Sequence, residues 1–385
     1  MARGAILERL EAVTTPVARK DRTMFVALRD LRFARGRFLL IGSVVALITL
    51  LVGFLSGLTG GLAQQNISAV LAMPGERVVF APASEGEVSF TDSAVTAEQA
   101  QQWSDTAGVT AVAPIGISQT RAETSSARTS IALFGVTPAA ADSLEPAPTE
   151  SGGMTLSAPA AKELGVDVGD TVTVAGHDFT VDAIGGDWWY SHTPVAQVVL
   201  EDWQAYAAAT GNADAYATVL AISTGSDFDS AAWDAADAAA GTVSESTIGT
   251  LMALSSFKSE IGSLLLMVGM LFGISGLVIG AFFTVWTMQR RGDVAVLKAL
   301  GASTSSLVRD SLGQALIVLL AGIGIGMLVV TGLGLLASQA LPFVFSPLTT
   351  LVPAVIMTLL GLGGAGFAVR SVTRVDPLTA LGSSR

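Results

Sequence analysis

Cysteine is absent from this chain of 385 residues, which excludes disulfides, thiolate metal sites and cysteine nucleophiles. Charge is scarce: 14% of residues are Asp, Glu, Lys or Arg, against 51% hydrophobic. That balance is too apolar for an ordinary soluble protein. Aromatics make up 6%, and the two histidines, His177 and His192, lie in different motifs. Neither has the hydroxyl and carboxylate pattern of a catalytic triad around it. The chain contains no G-x-x-x-x-G-K-[ST], so ATP binding through a P-loop is not expected. G-x-S-x-G and H-E-x-x-H are missing as well. No enzyme is expected in this chain.

The charge that is present is sorted along the sequence. Between Gln64 and Ser255 there are 24 acidic residues and 4 basic ones, while the rest of the chain sums to +9. Basic loops beside apolar spans face the cytoplasm. A basic set next to the membrane and an acidic block away from it put the block outside the cell. Nucleic-acid binding is not expected.

Four apolar runs are long enough to cross a bilayer. The first covers 38–63 and carries Gly53, Gly57 and Gly61 at a spacing of four, a pattern that lines one helix face and permits close helix contact. A glycine groove at a dimer interface is the functional form of the same pattern. Gln64, Gln65 and Asn66 mark its exit. The second span covers 256–288, with Gly269/Gly273 and Gly276/Gly280 again four apart. No Asp, Glu, Lys or Arg occurs between Asp310 and Arg370. Pro342, Pro347 and Pro353 divide that run into spans at 311–340 and 351–369. Residues 1–37 form a cytoplasmic segment in which Met24–Phe38 has one apolar face (Phe25, Leu28, Leu31) and one basic face (Arg32, Arg35), as an interfacial helix would. No signal peptide is read there. The tail, 370–385, is basic at Arg370 and Arg374 and is expected inside, so both termini are cytoplasmic.

Within 64–255, RVVFAP, TSIALFGV, DTVTVAG, HDFTVDAI and AQVVLED are short β-branched runs bounded by Gly, Pro and Asp. AEQAQQW and SAPAAKEL read as short helices, and Phe228–Ala240 as a surface helix. The expected class is a four-helix membrane protein with an α+β extracellular domain, built on a small mixed sheet, inserted between helices 1 and 2.

The loop 289–310, QRRGDVAVLKALGASTSSLVRD, is a charged island between apolar runs. Val294, Leu297, Lys298 and Leu300 suit a short helix with an apolar stripe, and Gly301 ends it. An acidic residue a few positions before LKALGAS resembles the signature of FtsX/MacB-like permeases, the membrane subunits of one class of ABC transporter. Leu156–Ile184 resembles the outer core domain of that family, and Arg374–Leu381, RVDPLTAL, its closing motif. The resemblance covers Met24 to about Leu381. It implies that Asp293, Val294, Leu297, Lys298 and Leu300 form the coupling helix seated in an ATPase subunit. It also implies two copies of a separate ATPase, which holds ATP and Mg, and a homodimer of the permease in membrane lipid.

Two stretches stand out as more than scaffold. Asp187–Pro194, DWWYSHTP, places three adjacent aromatics before His192. As a structural feature this is an interfacial aromatic belt. Ser255–Met270 places Lys258 and Glu260 at the edge of span two, where an ionisable residue is a functional candidate; as structure, Lys258 snorkels and pairs with Glu260. Both stretches are expected to meet near Met73. YSHTPV and MFVALRDLRFARGRF resemble the haem-exporting branch of the family, which implies haem as cargo. On that resemblance Tyr190 and Phe257 are wall or contact residues, and Met73, Glu260 and His192 are possible iron ligands. No other metal is expected. Two further functions stay open: an FtsX-like transmitter that activates an extracellular cell-wall hydrolase, and an exporter of peptide, lipoprotein or drug.

Overall fold

The computed structural model describes residues 35–83, 86–137, 144–290, 292, 296, 298, 300, 301 and 303–373. Residues 24–34 of the amphipathic segment, the closing RVDPLTAL motif, and Asp293, Val294 and Leu297 of the island lie outside the described residues. The chain forms two compact units, Thr59–Leu266 and the remainder, and two long helices contribute to both.

The first of these, α1 (Arg35–Leu71), runs 37 residues. The helix continues beyond Gln64–Asn66, where the exit from the membrane is expected. No proline or glycine interrupts 62–71, and the break comes only at Pro74 and Gly75, where φ is +84°. The inserted unit then follows: β1 (Arg77–Phe80), α2 (Ala97–Ser104), β2 (Val109–Glu123), β3 (Arg128–Val136), β4 (Gly153–Leu156), α3 (Ala158–Leu164), β5 (Thr171–Val174) and β6 (His177–Ile184). The chain continues through β7 (Trp189–Tyr190), β8 (Thr193–Val199), α4 (Leu200–Ala209), β9 (Val219–Thr224), α5 (Ser230–Ala240), β10 (Val243–Ser246) and α6 (Thr247–Met252) into α7 (Ser255–Gln289). Thr96 and Gln99 close a capping box at the start of α2, as the Ser/Thr signal predicts.

The sheet is mixed, but it is larger than the sequence suggested. Its order is β10-β1-β9-β2-β3-β8-β4-β6-β5, with β7 paired to β8. The 15-residue β2 serves two arms. It pairs with β9 on one side and β3 on the other, and its far end also pairs with β5 at Ala122–Val174 and Glu123–Thr173. The six strands from β2 to β5 therefore close into a ring, which leaves no free edge on that arm. Strand β2 was not read from the sequence because Pro114 and Gly116 interrupt its apolar alternation. Gly116 and Gly135 face each other across β2 and β3, and a Cβ on either would run into the Trp203 side chain of α4. The run AQVVLED is divided, since β8 stops at Val199 and α4 begins at Leu200.

Three apolar clusters hold this unit. One joins the ring strands to α3 and α4 through Leu133, Leu156, Val181 and Trp203. A second lies between the open arm and α2 and α5. In it Trp233 packs on Trp103, and the Arg77 guanidinium lies 4.9 Å from the Trp233 ring. Helix α5 therefore presents a buried face, and the expectation of a surface helix holds only for its other side. The third cluster carries the candidate site.

The other unit contains the first part of α1, most of α7, and α8 (Thr304–Ala337) and α9 (Pro347–Thr373). Four helices, α1, α7, α8 and α9, are long and apolar enough to cross a membrane, among the described residues. Helix α9 contains the expected span 351–369 and begins four residues ahead of it. Pro347 takes its first position, where no N–H is needed, and Ser346 and Thr349 exchange side-chain hydrogen bonds with each other's backbone N–H. Small residues set the packing. A Cβ on Gly53 would lie 2.9 Å from Val330, and one on Gly57 would overlap the Phe343 ring. The Gly53/Gly57 face is thus filled from within the same chain. Gly280 and Gly364 meet where α7 passes α9, while Gly269 and Gly273 have open space beside them.

Candidate functional site at the hairpin tip

Strands β7 and β8 form a hairpin whose two-residue loop is Ser191–His192, with Tyr190 opposite Thr193. Both loop residues have positive φ, +50° and +63°. That geometry matches the twist of a hairpin but favours Asn-Gly, so two non-glycine residues here carry local strain. The loop is held by α1: the Ser191 N–H donates to the Asn66 carbonyl and the His192 N–H to the Gln65 carbonyl, each at 2.9 Å. Further along the same helix the Ser68 hydroxyl accepts from the Trp189 N–H at 2.8 Å, and Gln64 donates to the Asp187 carboxylate at 3.3 Å.

Side chains then connect the tip to the first turns of α7. His192 Nε2 lies 3.0 and 3.1 Å from the two Glu260 oxygens. Asn66 Nδ2 lies 3.4 Å from Glu260 Oε2 and 3.3 Å from His192 Nε2. Ser191 Oγ donates to Ser256 Oγ at 2.9 Å, and Ser256 donates to Asn66 Oδ1 at 2.7 Å. Asn66 is 1% exposed, whereas the His192 and Glu260 side chains keep 32% and 42% of their surface open. A buried amide thus stands behind an accessible imidazole–carboxylate pair.

Beneath this polar layer lies the third cluster. Tyr190 packs edge-on against Phe90 and Phe134, both at 5.7 Å, and Met73, Phe257, Ala69 and Val70 belong to the same core. Burial pushes the Tyr190 phenol up from its ordinary range. All five candidate residues are therefore brought to one place, but in two layers. His192 and Glu260 are at the surface, and Tyr190, Phe257 and Met73 are interior. The three aromatics of DWWY are not equivalent: alternation turns Trp189 to the face opposite Tyr190, and Trp188, half-exposed, packs against the cluster in which Tyr190 is buried. Lys258 does not pair with Glu260. It bonds Glu87, whose carboxyl is held below its usual value first by that hydrogen bond and then by the charge of Lys258. Sequence reasoning missed Asn66, Ser191 and Ser256 as members of the site. The available signal was a lone Asn within a helix otherwise rich in apolar residues.

Of the coupling residues, Lys298 and Leu300 are described; Leu300 is 79% exposed and is followed by Gly301 at φ +92°. A buried relay borders the island: Arg290 donates to Gln314 Oε1 at 2.6 Å and Gln314 donates to Asp310 at 3.0 Å, with Gln314 fully buried.

The chain thus combines four helices of membrane-crossing length, an α/β domain inserted between the first and second, and a charged loop between the second and third. Residues 247–377 match the FtsX-like permease C-terminal family, so this part of the chain is an FtsX-like permease domain. A relative from Staphylococcus haemolyticus, named as an HrtB hemin transport system permease, is 27% identical over 371 residues, covering 93% of this chain and 99% of the relative. A relative of the same name from Staphylococcus epidermidis is 22% identical over 366 residues, covering 94% and 100%. Among solved structures, the extracellular domain of the transporter YknZ aligns with a TM-score of 0.33 at 15% identity, over 44% of this chain and 95% of that one. The periplasmic region of MacB from Actinobacillus actinomycetemcomitans aligns with a TM-score of 0.36 at 12% identity, over 52% and 98%.

Proposed function

We propose that this chain is the permease of a haem exporter. Haem enters sideways from the membrane and is expelled by an ATP-driven squeeze of a permease dimer. The observation that carries the reading is the open His192–Glu260 pair standing on a floor of aromatic and thioether side chains. Haem is flat and apolar, its iron takes imidazole or carboxylate ligands, and relatives aligned along nearly the whole chain are named for hemin transport. In this reading His192 and Glu260 contact the cargo. Tyr190, Phe257 and Met73 set the shape beneath them and become contacts only if the hairpin lifts. The inserted domain is extracellular and both termini are cytoplasmic. The chain itself hydrolyses nothing: two ATPase subunits hold ATP and Mg, and their closure pushes on the segment Asp293–Leu300.

The test is a titration of ferric haem into the permease–ATPase complex in nanodiscs, followed at the Soret band. A saturable shift that weakens at least tenfold in Glu260→Gln or His192→Gln is expected. An unsaturable, featureless spectrum would remove haem and move the assignment to peptide export or control of a wall hydrolase.

A further inference from the structure

Asn66 takes no part in the cargo contacts assigned above, yet it is the most constrained polar side chain of the site. Its amide is 1% exposed. Ser256 donates to its Oδ1 at 2.7 Å, and Ser256 in turn accepts from Ser191. The Glu260 carboxylate fixes the orientation of the amide: it only accepts, so the NH2 group must face it and Oδ1 faces Ser256, whose hydroxyl then donates. The NH2 group is then left with two neighbours, Glu260 Oε2 at 3.4 Å and His192 Nε2 at 3.3 Å.

We propose that Asn66 is a positioning residue that keeps the His192–Glu260 pair ready to exchange partners. With the pair closed, Glu260 accepts from His192 Nε2–H and from the Asn66 amide. A ligand that takes the carboxylate leaves His192 Nε2 beside the Asn66 donor, and Nε2 accepts from it once the ring proton has passed through solvent to Nδ1. A ligand that takes Nε2, which must first lose its proton, leaves Glu260 beside the same donor. In either case one amide hydrogen bond remains for the group left behind, and leaving such a group unpaired is the larger cost of opening a polar site. Other charged groups near this layer are accounted for: Asp187 on the hairpin is held by Gln64, and Lys258 on α7 by Glu87. The inference rests on His192 and Glu260 being the cargo contacts, but its test does not use cargo.

In the full chain in nanodiscs, His177→Gln leaves His192 as the one histidine, and ring 15N signals then report its hydrogen bonding. Asn66→Ala is expected to move the Nε2 signal by more than its linewidth, with partial return in Asn66→Ser, whose hydroxyl can still donate. Ser256→Ala removes the donor to the amide oxygen, together with the acceptor of Ser191, and is expected to move the signal the same way by less. It also keeps the test decisive if Asn66→Ala fails to fold. A His192 signal in Ser256→Ala and Asn66→Ala that superimposes on the parent's overturns the proposal. Ferric haem added to the parent sample reads the cargo assignment separately, so loss of that assignment is distinguishable from loss of this one.

Discussion

Tyr190 illustrates how a residue's environment alters the test to be made of it. Its ring sits between Phe90 and Phe134 at 6% exposure. Truncation to alanine is therefore expected to cost about 3–5 kcal/mol, as large aromatic deletions from cores do, and to lower Tm whether or not cargo binds nearby. Tyr190→Phe keeps the stack and should change stability by about 1 kcal/mol or less. Haem affinity measured in Tyr190→Phe, against Tm measured in both variants, separates contact from scaffold. Glu87 supports a pH prediction. Its carboxyl is lowered by Lys258, so the stability it adds is present above the ordinary carboxylate value and lost as pH falls through the lowered one. Parent and Glu87→Gln should differ in Tm at neutral pH and converge in acid, by a small margin because the pair is exposed. The motif DWWYSHTP and the charged Glu260 were visible in the sequence as unusual. Which of them are open and which are interior was not, because exposure is settled by what the rest of the chain packs against them.

At the scale of elements, turns and helix crossings carry the predictions. The β5–β6 hairpin turns on Ala175 and Gly176, both with positive φ, and Ala175 is exposed. Ala175→Asn should stabilise the inserted domain by about 1 kcal/mol, since asparagine tolerates the left-handed region and alanine does not. A fall in Tm would contradict that account. A Cβ on Gly364 would lie 2.7 Å from the Gly280 Cα. Gly364→Val should therefore force α7 and α9 apart and cost about 1–3 kcal/mol. Gly269→Ala, with open space beside it, should leave the thermal stability of the monomeric chain unchanged. The glycine spacing was legible; which glycines meet a partner within the chain was not, because spacing identifies a face without naming what covers it.

For the whole molecule, the charged island and the hairpin site belong to different units, and the proposed export cycle requires them to act together. Leu300 is exposed at the end of the island. Leu300→Asp is expected to uncouple ATP hydrolysis from export, leaving basal hydrolysis by the ATPase in place while transport falls at least tenfold. Retained ATP-dependent export in that variant would remove Leu300 from the coupling surface. The four-span plan, the inserted acidic domain and the family resemblance were all readable along the chain, since they depend on composition over windows of twenty residues or more.

Local chemistry determined much of this protein by itself. Long uncharged runs make membrane helices, β-branched runs between glycines make strands, and a glycine at the end of a helical stretch stops the helix. The tertiary structure alone decided that β2 serves two arms and closes a ring, that Lys258 pairs with Glu87 so that Glu260 is left to His192, and that Asn66 stands behind that pair. The physical reason is range. Helix and strand signals arise between neighbours a few residues apart, whereas Asn66, His192 and Glu260 are 126 and 194 positions from one another along the chain as counted from Asn66. Only folding brings them within a hydrogen bond.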